Sequence, residues 1–370
     1  MQRIEIGPKI VTTLVVATFL CLTATGAFAA TLKVASHGVD SPTCGSSAAP
    51  CRSIGRAIAL APAGAKILVG PGLYGDVNGN GAVGDADEEV ASPAGMVTVD
   101  KPLLVLSTHG AGSTVIDASG TTAVAAVAIT ASGVVFGKKN KGFTIVHAGA
   151  DGLHVVAGAD GVVVAGNVAL SARVYGFSFH GLGALVRNNW ALRAMVGFNG
   201  AAGSILELEG NVASGNRNVG FNFLDIGGAT VRRNVATANG IGFYLGVGAP
   251  SFTTLEDFSW NTVAANRFYG LRIDAFNVPE HGFTQSMRDN NVYGNGTWPY
   301  SQYANCGLVV NNYSPMLFTV DAAQNFWGAP SPGPDPGDAL GPQCNYGGPI
   351  SLGFETPAAR PFRAKLKPMR

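Results

Sequence analysis

The sequence predicts an all-β protein whose short strands coil into a parallel β-helix. An asparagine with an apolar or aromatic neighbour recurs through the second half of the chain, with steps of 22, 22, 23, 27, 30 and 34 residues. A second motif, of the Gly-Phe-x-Phe type, alternates with this asparagine motif. Each repeat has period-2 strand patterns and no helical period, and this combination is typical of a solenoid. The marked asparagines are Asn167, Asn189, Asn211, Asn234, Asn261, Asn291 and Asn325.

Residues 1–29 have the features of a secretory signal peptide. Arg3 and Lys9 form a positive start, and Ile10 to Leu22 is an apolar stretch too short to span a bilayer. Ala27 to Ala29 has the small-x-small pattern of a cleavage site. We therefore expect a secreted or periplasmic protein with no membrane span after cleavage.

Charge and length restrict the classes of function. The chain has 370 residues, a formal net charge of +1 and only 13% charged residues. A solenoid grows by adding rungs, so this length is compatible with one domain. The sequence has no evident basic stripe, so nucleic-acid binding has no electrostatic support. We expect a monomer.

The N-terminal part predicts a first strand and a short capping helix. The strand is expected at Thr31 to Ala35 and the helix at Arg52 to Ala61, with Ser53 as its N-cap. The end rung of a solenoid exposes apolar side chains and strand edges, so a cap is physically required. We expect the helix to cover this end before the chain enters the first full rung at Lys66 to Val69.

A polar insert at residues 76–89, DVNGNGAVGDADEE, matches an EF-hand calcium loop. Such a loop has side-chain oxygens at positions 1, 3 and 5, glycine at 6, a backbone carbonyl ligand at 7 and a carboxylate at 12. The predicted ligands are Asp76, Asn78, Asn80, the carbonyl of Ala82, and Asp87. Aspartate at position 12 resembles the dockerin variant, but we find one loop where a dockerin has two, so we predict no cohesin partner. We expect calcium to order this turn; the alternative is an acidic, glycine-rich turn without metal.

From Gly142 the repeats become regular, and residues at equivalent positions should stack from rung to rung. We interpret the recurrent asparagine as a turn residue that tolerates the left-handed region and whose amide bonds to the next rung. One predicted inward column is Phe177, Phe198, Phe221, Phe243 and Leu271. Another is Val168, Trp190, Val212, Val235, Val292 and Phe326. Arg187, Glu209 and Arg232 share an outward position and predict a ladder of ion pairs.

The composition of the chain changes after Trp327. The segment that follows is rich in proline, glycine and aspartate, which prevent regular strands. We expect a β-helix domain at 30–361 that ends in a C-terminal wrap at 328–361, followed by a tail at 362–370. Ile350 to Phe354 is a candidate for a last strand.

Four cysteines remain after removal of the signal peptide, an even number for an oxidising compartment. Cys44 and Cys51 are close in sequence and are expected to pair, which would leave Cys306 to pair with Cys344. Four cysteines permit three pairings, and the sequence alone does not choose among them.

Three segments carry a resemblance to a known family. They are the opening VASHGVDSPTCGSSAAPCRSIGRAIALAPAGAKILVGPGLYGD, the N…N…G-F repeats and the closing NFWGAPSPGP…FETP. Together they resemble secreted right-handed parallel β-helix proteins of the pectin-lyase-like superfamily, over nearly all of Thr31 to Pro361. The resemblance implies a right-handed β-helix. It does not imply one activity, because this fold carries lyases, hydrolases, epimerases, adhesins and non-enzymatic proteins.

Residues between the inward positions of the Gly-Phe strands should face solvent on one sheet. That outward column is His154, Ser178, Asn199, Asn222, Tyr244, Arg272 and Val309. Two residues further on lie His180, Asp274 and Asn311. Hydrogen-bonding groups and an aromatic platform suit an extended sugar chain, so we predict polysaccharide binding here; the alternative is an ordinary solvated face. The predicted substrate-binding residues are His154, Ser178, Asn199, Asn222, Tyr244, Arg272 and Asn311.

Catalysis has weaker support. The first lysine after Lys141 is Lys365, so a lysine-based lyase site on the repeats is nearly excluded. No cluster of aspartates of the hydrolase type lies on the repeats. The remaining catalytic candidates are Tyr244, Arg272, Asp274 and His180, with Glu280 and His281 in the longest loop between rungs.

Two other classes of function remain open besides polysaccharide binding. One is a polysaccharide lyase, epimerase or glycoside hydrolase centred on the catalytic candidates. The other is a structural or surface-interaction protein, or a periplasmic copper-binding β-helix protein. Only six histidines, few methionines and no clustered pairs in the sequence argue against copper.

Overall fold

The computed structural model describes residues 30–200, 204–224, 226–247, 255–276, 278–297, 306–328, 344–353, 358 and 360–362. The predicted signal peptide lies outside these residues, as do most of the predicted wrap at 328–361 and all of the tail except Phe362. Within the described chain, no helix is both long enough and apolar enough to cross a membrane.

Three long parallel sheets wind around one core, and this confirms the predicted parallel β-helix. Sheet 1 contains β1 (Thr31–Val34), β2 (Lys66–Val69), β5 (Leu104–Ser107), β8 (Val135–Phe136), β11 (Val163–Ala165), β14 (Ala184–Arg187), β17 (Ile205–Glu209), β20 (Gly228–Arg232) and β23 (Leu255–Ser259). Sheet 2 contains β4 (Gly95–Val99), β7 (Ala125–Ile129), β10 (Asp151–Val155), β13 (Tyr175–Phe179), β16 (Val196–Gly200), β19 (Val219–Leu224), β22 (Ile241–Val247), β25 (Tyr269–Ala275), β28 (Leu308–Asn312) and β30 (Asn345–Gly347). Sheet 3 contains β3 (Gly72–Gly75), β6 (Thr114–Asp117), β9 (Thr144–Val146), β12 (Val168–Leu170), β15 (Trp190–Leu192), β18 (Val212–Ser214), β21 (Val235–Thr237), β24 (Thr262–Ala264) and β27 (Asn291–Tyr293).

A small fourth sheet follows at the C-terminal end. It pairs β26 (Phe283–Ser286), β29 (Phe318–Asp321) and β31 (Ile350–Gly353) in parallel. The last of these strands lies within the predicted Ile350 to Phe354.

The predicted phenylalanine column is present inside sheet 2. The rings of Phe177, Phe198, Phe221 and Phe243 stack with centroid separations of 5.0, 4.8 and 4.5 Å. Leu271 continues the column in the next strand, and all five side chains are buried. The separations match the spacing of strands in a sheet, so stacking follows from the parallel register.

The second predicted inward column was wrong by one residue. Val168, Trp190, Val212 and Val235 do pair in register, but the column continues to Thr262, Asn291 and Phe326 instead of Val292. The fully buried column beside it is Ala169, Ala191, Ala213, Ala236, Val263 and Val292. Strand side chains alternate between faces, so moving the register by one residue exchanges the inner and outer sets.

The asparagine marks form a buried ladder, with one correction to its members. Each ladder amide donates to the side-chain oxygen of the next at 3.0–3.2 Å. The sixth member is Asn290, not the predicted Asn291, and a second ladder links Asn216 to Asn239, Asn266 and Asn295. The first ladder is Asn167, Asn189, Asn211, Asn234, Asn261, Asn290 and Asn325.

The left-handed backbone conformation belongs to the residue before each ladder asparagine and not to the asparagine itself. The positive φ angles lie between 54° and 72° and occur at Gly166, Asn188, Gly210, Arg233, Trp260, Asp289 and Gln324. The asparagine side chain instead points inward and bonds to buried carbonyl groups, as Asn211 Nδ2 does to Val186 O at 2.7 Å. Its role is therefore to satisfy the buried backbone at the corner between sheets 1 and 3.

The N-terminal cap is present as predicted. Helix α1 (Ile54–Leu60) begins after Ser53, whose hydroxyl accepts a hydrogen bond from Arg56 N at 3.1 Å. Ile54 and Ile58 are buried in the main core, so the helix covers the end of the solenoid. Both expected disulfides are present, Cys44–Cys51 and Cys306–Cys344.

The insert is attached to this cap through Glu89. Its carboxylate accepts hydrogen bonds from Ile54 N at 2.6 Å and Gly55 N at 2.8 Å, and the side chain is 1% exposed. Burial raises the pKa of Glu89 to about 7. The two backbone hydrogen bonds act in the opposite direction and lower this pKa, but burial has the larger effect. The folded state therefore favours the neutral form of this carboxyl group.

The predicted ion-pair ladder has the predicted register but different partners. Arg187, Glu209 and Arg232 lie side by side on sheet 1. Arg187 pairs with Glu207, Arg232 with Asp257 at 3.3 Å, and Glu209 with Arg233 at 2.7 Å. These pairs are partly exposed and contribute little to stability.

Candidate functional site

The predicted outward column lies on sheet 2. His154, Ser178, Asn199, Asn222, Tyr244, Arg272 and Val309 occupy one register position of successive strands. Asp274 and Asn311 pair two residues further on, also as predicted. The parallel register therefore gathers side chains that are far apart in sequence into one row along the helix axis.

We predicted that this column faces open solvent, but much of it is buried. Ser178, Asn199, Asn222 and Asn311 are all buried. The amide of Asn222 donates to Asn199 Oδ1 at 2.7 Å, so these side chains satisfy one another along the sheet.

An apolar column on the outer face of sheet 2 explains part of this burial. Val196, Val219, Ile241 and Tyr269 lie three residues before the polar column, and they pack in one cluster with the Cys306–Cys344 disulfide. Alternation along a strand predicts which side chains point outward, but not whether an outer face is covered.

Tyr244, Arg272 and Asp274 form one hydrogen-bonded network. Arg272 donates from Nε and Nη2 to the two carboxylate oxygens of Asp274 at 2.9 and 2.8 Å. Tyr244 Oη donates to Asp274 at 2.9 Å, and Asn311 Nδ2 donates at 2.7 Å. The fifth member is Tyr269, whose hydroxyl accepts from Arg272 Nη1 at 3.1 Å.

This network is poorly suited to proton transfer. The buried Asp274 carboxylate accepts four hydrogen bonds, two of them from the guanidinium of Arg272, so both of its oxygens are already engaged. Burial raises the pKa of Tyr244, and the nearby Asp274 raises it further, so the phenol stays protonated at neutral pH. The guanidinium lies over the ring of Tyr244, 5.2 Å from its centroid. The arrangement is a rigid surface of hydrogen-bonding groups.

An exposed row of aromatic rings borders the network, and sequence reasoning did not identify it. Phe276 and Tyr313 stack at 5.1 Å, and Tyr346 meets Tyr313 edge-on at 6.4 Å. Their exposed fractions are 42%, 49% and 62%. The signal was present in the sequence, since Phe276 and Tyr313 each stand two residues after a polar network residue and so share its face.

His180 belongs to a different cluster. Its ring stacks on that of His154 with centroids 5.0 Å apart, and Ser178 Oγ lies 3.2 Å from its Nε2. His154 Nδ1 lies 2.9 Å from the carboxylate of the buried Asp151. Burial lowers the pKa of His180, and the charge of His154 lowers it further, while Asp151 opposes them.

The two clusters do not make one site. Sheet order places β13, which carries Ser178, three strands from β22, which carries Tyr244. Three strand spacings correspond to about 14 Å. The predicted catalytic set is therefore divided, with His180 apart from Tyr244, Arg272 and Asp274.

Exposed arginines line the turns that lead into sheet 2, which sequence reasoning also missed. Arg173, Arg217 and Arg267 each stand two residues before a strand of this sheet, on every second coil. Two coils correspond to about 10 Å. Neither Arg173 nor Arg217 forms an ion pair with any described residue. These arginines are far apart in sequence, so the row is not evident from the sequence. It forms because each arginine occupies the same position relative to its strand in successive coils.

The calcium-loop insert folds so that its predicted oxygen donors accept backbone hydrogen bonds within the loop. The Asp76 carboxylate accepts two, at 2.7 and 2.9 Å. Asn78 Oδ1 accepts from Asn80 N, and Asn80 Oδ1 accepts from Ala82 N, both at 2.8 Å. Side-chain carboxylate and amide oxygens of this kind are donors that calcium prefers.

Glu88 and Asp85 form hydrogen bonds across this loop. Glu88 is buried and lies 3.1 Å from Val77 N. Asp85 accepts from the side-chain amide of Asn80 at 2.8 Å. Asp87, the predicted ligand at position 12, is exposed and has a φ of 69°, so the chain turns there.

Comparison with known families gives one match. The model of the family described as "Periplasmic copper-binding protein (NosD)" matches residues 99–297, more than half of the chain. No curated protein is similar enough to count as a relative.

Five solved chains match this one, and two of them are similar in fold over most of its length. The A-module of the Azotobacter vinelandii mannuronan C-5 epimerase AlgE6 matches with a TM-score of 0.50 and 16% identity, over 81% of this chain and 88% of that one. Pectate lyase Pel9A matches with a TM-score of 0.51 and 18% identity, over 90% of this chain and 79% of that one. At these identities the similarity shows the fold, a right-handed parallel β-helix, and nothing about activity.

Proposed function

The chain belongs to the NosD family of periplasmic copper-binding proteins, and from that premise we propose that it is a polysaccharide-binding β-helix protein. It is a secreted or periplasmic protein. Extended glycans are potential ligands in these compartments. The observation that carries the proposal is the exposed aromatic row of Phe276, Tyr313 and Tyr346 beside the polar network of sheet 2.

A sugar ring has an apolar face and a rim of hydroxyl groups. Tyr313 and Tyr346 provide exposed apolar platforms for such faces. Arg272 and Tyr244 are partly exposed and held rigidly by Asp274. The guanidinium of Arg272 can donate to sugar hydroxyls, and Tyr244 Oη, whose hydrogen is bonded to Asp274, can accept from them. Because these groups are already ordered, little entropy is lost when a ligand binds.

The arginine row favours an acidic glycan over a neutral one. Arg173 and Arg217 are exposed and without ion-pair partners among the described residues, so they can meet carboxylates along an extended chain. Arg272 contributes less net charge because Asp274 neutralises it. Affinity should therefore decrease as salt increases.

Binding is favoured over catalysis by the saturated state of the network. Both oxygens of Asp274 are engaged by hydrogen bonds within the network, and Tyr244 stays protonated, so neither is placed to take a proton from a ligand. A lyase, epimerase or hydrolase at this site remains a second candidate, and the absence of unsaturated or reducing-end products from bound polyuronates would exclude it.

The test is calorimetric titration with polygalacturonate, alginate and a neutral β-glucan. We expect polyuronate binding that Tyr313→Ala weakens about tenfold, close to 1.4 kcal/mol. Tyr293→Ala is the matched control, since Tyr293 is 38% exposed but lies on sheet 3. Failure of every glycan to bind, or an equal loss in the control, would refute the proposal.

Calcium is proposed as a structural ion of the insert. Asp76, Asn78 and Asn80 would hold it, with Glu88 as the closing carboxylate, and the ion would neutralise the acidic loop that leads into Glu89. We expect chelator to lower the melting temperature of the wild type. Glu88→Gln should abolish that shift, whereas Asp87→Asn should retain it; the reverse result would restore the ligand set read from the sequence.

A further inference from the structure

The chain returns to sheet 3 after its last strand. β31 ends at Gly353, and Ala358 N then donates to Asn325 O at 3.0 Å. Four residues later, Phe362 forms hydrogen bonds with Asn291 on β27, the last strand of sheet 3. The C-terminal segment therefore runs back along the solenoid, from its last coil towards the coils before it.

Asn291 holds this segment by its backbone. Asn290 occupies the ladder, so the next residue points to the outer face of sheet 3. The Oδ1 of Asn291 accepts from Phe362 N at 2.7 Å, and its Nδ2 donates to Phe362 O at 2.8 Å and to Thr262 Oγ1 at 3.1 Å. The side chain thus pairs with a backbone N–H and C=O as a neighbouring strand would, which suits an extended peptide.

Trp260 supplies the side-chain contact. Its ring meets that of Phe362 edge-on, with centroids 4.9 Å apart, and it is 47% exposed at the corner between sheets 1 and 3. The equivalent corner residues of the other coils are glycine, polar or charged: Gly166, Asn188, Gly210, Arg233, Asp289 and Gln324. The aromatic corner residue is therefore in the coil where the aromatic ring of the C-terminal segment lies.

An apolar row continues from this contact towards the N-terminal coils. On the outer face of sheet 3, Thr262 is preceded at one register position by Val235, Val212, Trp190 and Val168. Outward strand positions are usually polar. The three valines are also buried, although they point away from the core, as expected where a further segment of chain lies over a sheet.

The sequence after Phe362 fits this row in pattern and in length. Residues 362–368 read FRAKLKP, in which apolar and basic residues alternate. This period gives an extended chain one apolar face and one charged face. Residues 363–370 span about 26 Å when extended, whereas the four coils from Thr262 to Val168 span about 19 Å. The segment can therefore reach the far end of the row.

We propose that the outer face of sheet 3 is a docking site for the C-terminal segment of the same chain, residues 361–370. Asn291 binds the backbone of the segment, Trp260 binds its aromatic side chain, and the apolar row takes the residues that follow. The docked segment ties the last coil to earlier coils and turns its basic side chains to water. This site is separate from sheet 2 and does not depend on glycan binding.

The test is limited digestion of the full chain with trypsin, followed by intact mass spectrometry. Trypsin can cut after Arg363 and Lys365, whereas the prolines that follow Arg360 and Lys367 block cleavage there. The protease needs the segment to leave the sheet before it can cut. We therefore expect these two bonds to be cut at least about tenfold more slowly than in a free peptide of residues 358–370.

Asn291→Ala and Trp260→Ala should each increase the rate of this cleavage about tenfold, because each removes a contact that holds the segment. Phe362→Ala tests the same contact from the segment itself, so loss of folding in the coils does not confuse the result. Asn218→Ala is the matched control, because Asn218 is exposed and bonds only through its backbone; it should be cut like the wild type. Circular dichroism checks that each variant is folded.

Two results would overturn the proposal in its simplest form. One is a wild-type segment that is cut as fast as the free peptide, and the other is cleavage of all three contact variants at the wild-type rate. Protection that is lost on dilution, together with a dimer in light scattering, would assign the docked segment to a second copy of the chain and would also overturn it.

Discussion

Removal of one ladder asparagine should reveal how much the corner between sheets 1 and 3 contributes to stability. Asn211 is fully buried in the middle of the ladder. Its oxygen accepts from Asn189 N at 3.0 Å and from Asn189 Nδ2 at 3.1 Å. Its amide donates to Val186 O at 2.7 Å and to Asn234 Oδ1 at 3.0 Å.

Asn211→Ala would leave three buried groups without these partners: the backbone N–H of Asn189, one of its amide hydrogens, and the carbonyl of Val186. A buried group left unsatisfied costs about 1–3 kcal/mol. Because the neighbouring side chains and water can relax into the space, we expect a total loss of about 3–5 kcal/mol in the free energy of unfolding.

Urea unfolding followed by circular dichroism and tryptophan fluorescence measures this loss. Asn218→Ala is the matched control, because Asn218 is exposed and its hydrogen bonds to Met195 and Ile241 use only its backbone. It should change stability by less than about 0.5 kcal/mol. If Asn211→Ala costs under about 1 kcal/mol, or no more than the control, the ladder is not a major source of stability.

Two further predictions concern the ends of the solenoid. Burial raises the pKa of Glu89 to about 7 from 4.5, so its contribution to stability is fully present below pH 4.5 and is lost as pH rises through 7. That loss is about 3 kcal/mol, and Glu89→Gln should remove it from the pH profile of unfolding; an unchanged profile would contradict the assignment. The Cys306–Cys344 bridge closes a loop with a sequence separation of 38, so replacing both cysteines with serine should cost about 4 kcal/mol in chemical denaturation. A cost near zero would mean that the C-terminal coils are held by packing alone.

Much of the fold could be predicted from local patterns. Three local signals each depend on only a few neighbouring residues. They are the alternation of apolar residues, the glycine and asparagine at turns, and the fixed spacing between the asparagine motif and the Gly-Phe-x-Phe motif. The phenylalanine column and the N-cap of Ser53 follow from such signals and are present. Errors of one residue arose at Asn291 and Val292, where two consecutive asparagines leave the turn position ambiguous.

The sequence predicted which residues of the candidate site share one register position, but it did not predict the contacts of their side chains. The column from His154 to Arg272 was correct because parallel strands of equal phase align by sequence period. Its burial was not predicted, since covering depends on the neighbouring apolar column and on a disulfide from distant residues. In the insert, Glu88 accepts a hydrogen bond from Val77 N and the backbone turns at Asp87, a geometry that spacing alone does not reveal.

The sequence by itself determined the coil, its repeat, the disulfide-forming residues and the outward row, because period and turn chemistry are properties of short segments. Only the tertiary structure decided which side chains meet across coils. It stacks His154 on His180, collects Phe276, Tyr313 and Tyr346 in one row, and aligns Arg173 with Arg217. These groupings depend on the register between coils of unequal length, and that register is set by packing around the whole turn of the helix.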